Sequence, residues 1–334
     1  MTAWLKVSDR LYRTLLIVYP AQYRREYGPL MAQVFRDLCR DVGRRGGAWG
    51  FFVLWIRTLA DLAITAVAEH LEGTMIDLPA TIGKYEVKEL IGEGSNASIY
   101  RAHDPDRKRD VAVKLINPDV IDDWRPQLQR QIEILSTLDH PGLPLYYEFV
   151  DNGEQAYVVL EFIEGQDLLR LMESQEGFLP VAQVVNWAKQ VCDILTYLHT
   201  QPEPLIFRDV KPHQSMITPK GRVLLIDFGT LEPYAPGRAM PKIGTEGYAP
   251  PEQYEGFCDP RTDVFALGAS MHHLLTRVDP RKQKPFEFRF DPPRAINPAV
   301  SEDLESVILK AVARDAADRF QSAVEMKTAL AGCV

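Results

Sequence analysis

Cysteine is scarce in this chain: Cys39, Cys192, Cys258 and Cys333 are the only four among 334 residues, far apart and with no C-x-x-C pair. That excludes a disulfide framework and a zinc site of ordinary spacing, and a reducing compartment fits. No run of Lys and Arg with interleaved aromatics occurs, so nucleic acid is not expected as a partner. Met1 to Val7 lack the basic-then-apolar layout of a secretory signal. No repeat or low-complexity tract breaks a composition of 46% hydrophobic and 25% charged residues, that of a globular chain long enough for two domains.

Charge is present but unevenly placed. Residues 1–47 carry nine Lys/Arg against four Asp/Glu, whereas residues 74–334 carry 28 against 39, within a net charge of −8. A basic head on an acidic body implies two modules with different partners.

After Gly73 the character changes to strand-like runs with turn signals, beginning at Gly83-Lys84-Tyr85-Glu86-Val87. Leu90-Ile91-Gly92-Glu93-Gly94-Ser95-Asn96-Ala97-Ser98-Ile99-Tyr100 is a glycine-rich turn between two apolar strands, where absent Cβ atoms let backbone approach phosphate. Alone it reads as a plain hairpin. Twenty residues on, Val111-Ala112-Val113-Lys114 sets one lysine in an apolar strand. A lone strand lysine usually faces solvent, but at this distance behind a glycine hairpin phosphate binding is the favoured reading.

At this point the chain resembles the protein-kinase family, of the bacterial Ser/Thr type with a eukaryotic-like domain, and further motifs arrive in order. Val158-Val159-Leu160-Glu161-Phe162-Ile163-Glu164-Gly165 looks like the last small-lobe strand and hinge, with Leu160 as gatekeeper. Ile206-Phe207-Arg208-Asp209-Val210-Lys211-Pro212 resembles the catalytic loop, and Leu225-Ile226-Asp227-Phe228-Gly229 the metal-binding segment. Gly244-Thr245-Glu246-Gly247-Tyr248-Ala249-Pro250-Pro251-Glu252 resembles the end of the activation segment, Asp263 to Gly268 the large-lobe core helix, and Arg319 the usual ion-pair partner of Glu252.

The resemblance implies an α+β, two-lobed kinase fold over residues 82–332. A small, mainly-β lobe would occupy 82–160, a hinge 161–165 and a large, mainly-α lobe 166–332, after a small all-α module (1–73) and a linker (74–81). It implies transfer of the ATP γ-phosphate to protein Ser/Thr hydroxyls with ATP and Mg²⁺ as cofactors. Asp209 would orient the substrate hydroxyl and accept its proton, and Lys211 would meet the γ-phosphate, a lysine there being the Ser/Thr rather than the Tyr pattern. The nucleotide would lie on Ile91, Gly92, Glu93, Gly94, Ile99, Ala112, Lys114, Gln131, Glu161, Ile163 and Met216. Asp227 and Gln214 would hold the metal.

The pattern is broken in places. Phe207 replaces the usual histidine, and another ring should keep the contact with Phe228. Ala97 takes the third glycine position, where a methyl should cost little. Gln131 stands where a helical Glu usually pairs with Lys114; it can still hydrogen-bond the lysine, without the charge-assisted part. Gln214 replaces the usual Asn and carries its carbonyl one methylene too far for an exacting octahedral cation. The hydroxyls between Gly229 and Pro250 are Thr230, Tyr234, Thr245 and Tyr248, with none in 236–243, so phosphorylation of the loop centre is disfavoured and Thr245 and Tyr248 are expected to shape the substrate platform. The two glutamines keep an alternative open, a nucleotide-binding pseudokinase or very weak kinase acting as a signalling scaffold; retention of Asp209 favours the enzyme.

In the head, Leu11, Tyr12, Leu15, Leu16 and Tyr19 recur at helical spacing behind Ser8-Asp9, predicting a helix within 8–27. A second starts at Pro29 and keeps Leu30, Met31, Val34, Phe35, Leu38 and Val42 on one face until Gly43. Ala48 to Ala68 is apolar at 16 of 21 positions, long enough for a bilayer. Its Arg57 and Asp61 cost about 2.5–3.5 kcal/mol each, and about eleven large apolar residues return roughly 0.3–0.6 kcal/mol each, so the sums nearly cancel. A span would put the basic head outside a membrane whose inner side holds the ATP-using domain, against the positive-inside tendency. A bundle helix is therefore favoured over an interfacial helix or a span. The run Leu16-x-x-Tyr19-Pro20-x-x-Tyr23-Arg24-x-x-Tyr27-Gly28 resembles the helical prefix of some bacterial permeases, which implies membrane proximity or docking of a protein partner through residues 1–73. The location expected is cytoplasmic, with a peripheral membrane association as the variant.

Overall fold

The structure, a computed structural model, describes residues 78–333 other than Ser95, Asp119, Val120, Glu154, Gln283 and Lys284, with backbone alone for residues 121–127 and 285. In the head it describes Ser8, Tyr12, Thr14, Leu15, Leu16, Met31, Phe35, Cys39, Leu54, Trp55, Arg57 and Thr58. The chain divides into two compact units, Met1–Pro79 and Ala80–Val334.

In the first unit Tyr12, Leu16, Phe35 and Cys39 are buried together, with Leu15, Met31, Leu54 and Trp55 packed on them. Phe35 stacks on Tyr12 at 4.1 Å and meets Trp55 edge-on at 5.1 Å. One apolar cluster thus collects residues from each of the three expected helices. The rest of 8–27, 29–43 and 48–68, Asp61 included, lies outside the described residues. Among those described, no helix is long and apolar enough to cross a membrane.

The second unit opens with β1 (Thr81–Ile82), β2 (Tyr85–Glu93), β3 (Ala97–Asp104) and β4 (Arg109–Ile116), then helix α1 (Ile121–Leu135), β5 (Tyr146–Asp151) and β6 (Ala156–Glu161). Thr81 already pairs with Glu86, so the strands start one residue inside the expected linker. The six strands form one antiparallel sheet in the order β1-β2-β3-β4-β6-β5. Alternation along β4 explains its two faces. Val111 and Val113 point into a cluster with Ile82, Tyr85, Ala102, Tyr157 and Val159. Ile116, two residues on from Lys114, points the other way, into a cluster with Ala97, Leu128 of α1, Ala156 and Val158. Lys114 therefore shares the α1 side of the sheet with Ala112 and with Ile99 and Val158, its partners across the ladder.

Strand β6 extends through Glu161, which pairs with Val111, one residue past the expected end of the small lobe. The chain then crosses at Gly165, where a Cβ would stand 2.2 Å from the Ile217 carbonyl oxygen. Only glycine permits that approach.

Beyond it lie β7 (Gln166–Asp167), α2 (Leu168–Ser174), α3 (Val181–His199), β8 (Leu205–Ile206), β9 (Ser215–Ile217), β10 (Val223–Leu225) and β11 (Glu232–Pro233). The remaining helices are α4 (Pro251–Glu255), α5 (Pro260–Thr276), α6 (Pro293–Ile296), α7 (Glu302–Ala311) and α8 (Ala323–Ala331). Helix α5 starts on a capping box between Asp259 and Thr262 with Pro260 in its first turn, and is buried from Thr262 to Thr276. A helix buried all round is the centre of its lobe. Around it pack Val191, Leu195 and Leu198 of α3, Leu304 and Ile308 of α7, and Met326 and Leu330 of α8.

Candidate active site

The loop that carries Asp209 is anchored to α5. Asp263, fully buried on that helix, accepts the backbone N–H groups of Phe207 (2.9 Å) and Arg208 (2.7 Å), and its Oδ2 also lies 2.8 Å from His199 Nε2. This fixes the loop that carries Asp209. Arg208 and Asp227 both have left-handed backbone, φ 70° and 64°. For residues with a Cβ such conformers cost about 1–3 kcal/mol and cluster at working sites.

The ring contact expected of Phe207 is present: it meets Phe228 edge-on at 6.0 Å, both rings buried in the large-lobe core. The Thr230 hydroxyl donates to the Phe207 carbonyl at 3.0 Å, joining the two loops again.

Five of the sequence-derived residues form one polar chain. Lys114 Nζ donates to Asp227 Oδ1 at 2.7 Å. The Gln214 amide nitrogen faces Asp227 Oδ2 at 3.3 Å and Asp209 Oδ2 at 3.4 Å. Lys211 Nζ binds both Asp209 oxygens, at 3.0 and 2.7 Å. Burial works to raise the Asp227 pKa, but the Lys114 charge and hydrogen bond, with the Gly229 N–H, outweigh it and hold the carboxyl below its ordinary range. Asp227 stands in this chain as an anion with a cation beside it.

Two expectations need correction. Gln131 does not hydrogen-bond Lys114, whose ammonium would need the amide oxygen; its amide nitrogen donates to the Gly229 carbonyl at 2.6 Å, while the lysine pairs with Asp227. Gln214 turns its nitrogen, not the anticipated carbonyl, toward the metal-binding carboxylate, because two carboxylates flank it and both only accept. Thr245 also proves closer to the chemistry than a platform residue: its hydroxyl donates to Asp209 Oδ1 at 2.6 Å and accepts from Lys211 at 2.8 Å. Spacing along the chain carried no signal of that contact across 36 residues.

The nucleotide-lining residues are gathered by the sheet. Gly92 pairs with Ile99, Ile99 with Lys114 and Ala112 with Leu160, which brings glycine turn, lysine strand and hinge strand side by side. Ile91, Glu93 and Gly94 lie in the same hairpin, closed by the Gly94 N–H on the Ala97 carbonyl at 3.0 Å, and the Asn117 amide holds the Gly94 carbonyl at 3.2 Å. Ala97 is buried in the cluster with Ile116 and Leu128, so its methyl fills the small lobe where glycine would leave a gap. Glu161 turns its carboxylate back to the Leu145 N–H at 3.2 Å. Ile163 follows in the crossing, and Met216 sits on β9 opposite Leu224 and Asp167. The platform segment is tied down twice: Arg319 grips Glu252 with bonds of 2.6 and 2.9 Å, and the Tyr248 hydroxyl meets His273 Nδ1 at 2.6 Å.

A family model described as the protein kinase domain matches residues 85–328. The chain belongs to the protein kinase family. This kinase-family chain is 30% identical over 272 residues to a probable serine/threonine-protein kinase, SCO3848, of Streptomyces coelicolor, a match covering 75% of it and 40% of that relative. It is 30% identical to the serine/threonine-protein kinase PknB of Mycobacterium tuberculosis, covering 74% and 42% of the two chains. It thus spans about two fifths of the length of these curated relatives. Among solved structures, the kinase domain of Mycobacterium tuberculosis PknI superposes with a TM-score of 0.62 at 26% identity, over 77% of this chain and all of that one. The two-lobed fold is therefore that of the kinase family.

Proposed function

We propose that this chain is a protein serine/threonine kinase that transfers the γ-phosphoryl group of ATP, bound with Mg²⁺, to a protein hydroxyl. The observation that carries the reading is the continuous polar chain Lys114–Asp227–Gln214–Asp209–Lys211, which sets two cations and two carboxylates around one cleft. Phosphoryl transfer needs positioning and charge neutralisation more than covalent work, and these groups supply both. Asp209 orients the attacking hydroxyl and takes its proton. Lys211 stands beside the transferring group, with Thr245 fixing its angle to Asp209. Lys114 binds the α- and β-phosphates from the sheet.

The donor set suits a hard cation: two carboxylates and an amide that can rotate its oxygen inward, with no sulfur or imidazole among them. Among the described residues no cluster of three His, Cys, Asp or Glu could hold a metal unaided. This agrees with Mg²⁺ sites that complete their shell from substrate phosphates. Bound there by Asp227 and Gln214, Mg²⁺ would neutralise charge on the phosphates.

A second reading, a nucleotide-binding scaffold, draws on the inward nitrogen of Gln214. Radiolabelled ATP with purified protein and generic substrates separates the two: the kinase reading requires transfer by wild type and none by Asp209→Asn, and absence of transfer by both overturns it. We assign residues 1–73 docking, to a protein partner or a membrane face, on the resemblance of their Leu16-to-Gly28 run to a permease prefix and on the positive charge of residues 1–47. ATP use and the free thiols of the described cysteines support a cytoplasmic site.

A further inference from the structure

We infer that Gln131 is a positioning residue for the transfer reaction: its amide N–H ties α1 to the metal-binding segment through the Gly229 carbonyl, and so leaves Lys114 to neutralise Asp227. The inference rests on the kinase reading above. A carbonyl oxygen only accepts, so whatever faces it at 2.6 Å must donate. Glutamine does; an ionised glutamate cannot. The glutamine that weakens an ion pair in the sequence is, in the fold, the side chain its partner demands.

The surroundings make this bond a mechanical link. Gln131 is 7% exposed. On one side of it along α1, Leu128 is buried in the small-lobe cluster. On the other, Ile134 and Leu135 pack against the large-lobe core. Gly229 is held from both ends, its N–H by Asp227 Oδ1 at 3.2 Å and its carbonyl by Gln131. A path therefore runs from α1 through Gln131, Gly229 and Asp227 to Lys114 on β4. Arg130 of α1 also reaches toward Glu232, but at 4.0 Å and with 44% of its side chain exposed, a pair of little weight. A glutamate at 131 would place an anion against the carbonyl. It would turn to Lys114 and draw that cation away from Asp227.

The consequence is a coupling between helix and metal-binding segment that carries no charge. The ground-state nucleotide contacts of hairpin and hinge do not pass through it, whereas the placement of Asp227 during transfer does.

The test uses the full chain and two variants, Gln131→Met, which keeps length without a donor, and Gln131→Glu. Amide hydrogen exchange of peptides covering 227–231, in nucleotide-free protein, should quicken on the order of ten-fold in both variants, the size expected from losing one buried hydrogen bond. In the transfer assay kcat should fall by about ten-fold in both variants, and in Gln131→Met, which leaves Lys114 on Asp227, the KM for ATP should stay within about two-fold, the split expected of an interaction used in the transition state. Wild-type exchange at 227–231 in Gln131→Glu, or a rise in its kcat, would show that position 131 serves Lys114 and overturns the inference. Faster exchange spread equally over α5 would signal general loss of stability and overturns it too. If wild type transfers no phosphate, the kinase reading fails, and the exchange data still decide the link.

Discussion

Arg319 uses all five of its N–H donors. Two go to Glu252 (2.6 and 2.9 Å) and three to the carbonyls of Ala313 (2.7 Å), Arg314 (2.9 Å) and Arg261 (3.2 Å). Its side chain has no exposure and its guanidinium lies 4.9 Å from the Phe265 ring centroid. Arg319→Met keeps most of the volume and removes every one of these bonds. Stranding one partner of a buried ion pair costs about 3–5 kcal/mol. Glu252 keeps 22% exposure and recovers some hydration, which puts the value near the lower end, about 3 kcal/mol. For a unit of this size each kcal/mol moves the midpoint by about 2–4 °C, so Tm should drop by roughly 6–12 °C. Arg319→Lys should recover little, since an ammonium cannot make the fork. The measurement is thermal unfolding of Arg319→Met, Glu252→Gln and the double variant. A drop below about 3 °C for Arg319→Met, or additive effects in the double variant, would refute the reasoning, because residues in direct contact must couple.

Three other outcomes follow from the structure. Gln214→Asn shortens the side chain by one methylene and should raise kcat more than it alters the KM for ATP, by up to about 100-fold if metal placement is limiting; unchanged or lower kcat, with Asp209→Asn inactive, would mean the loop is shaped around glutamine. Burial lowers the His273 pKa to about 4. The unfolded chain therefore takes that proton first, so the stabilisation is full above about pH 6.5 and is lost as pH falls toward 4, about 3 kcal/mol in all. His273→Gln should flatten the fall in Tm over that window, and an equally steep fall would sink the assignment. Removal of residues 1–79 should leave the ATP-induced rise in melting temperature intact, since the second unit has its own cores; loss of the rise in a folded protein would count against it.

The parts of the site legible in the sequence are those whose chemistry allows few residue types. Glycines at 92 and 94, a lysine inside an apolar strand twenty residues on, and carboxylates at 209 and 227 point to phosphate and metal handling through their order and spacing, each being weak alone. The alternation of Val111 and Val113 against Ala112 and Lys114 also fixed which side of the sheet the lysine takes. What stayed hidden depends on distances between segments far apart in the chain. Gln131 and Gly229 are 98 residues apart, and nothing at either position says that an amide will meet a carbonyl there. The same holds for Thr245 on Asp209 and for the nitrogen of Gln214 between two carboxylates. Ala97 looked like a tolerated departure in a loop; its burial beside Ile116 and Leu128 depended on where α1 would pack.

The close approach at Gly165 has a consequence for how the chain can vary. A methyl there would meet the backbone of Ile217 and Thr218, which cannot swing aside as the tip of a side chain can. Glu164, one residue earlier, is exposed. In a saturation library scored for folded protein, position 164 should accept nearly every amino acid and position 165 none but glycine. Divergence that tunes the crossing between the lobes is thereby channelled to the residues ahead of 165, and the point of contact itself stays closed to change.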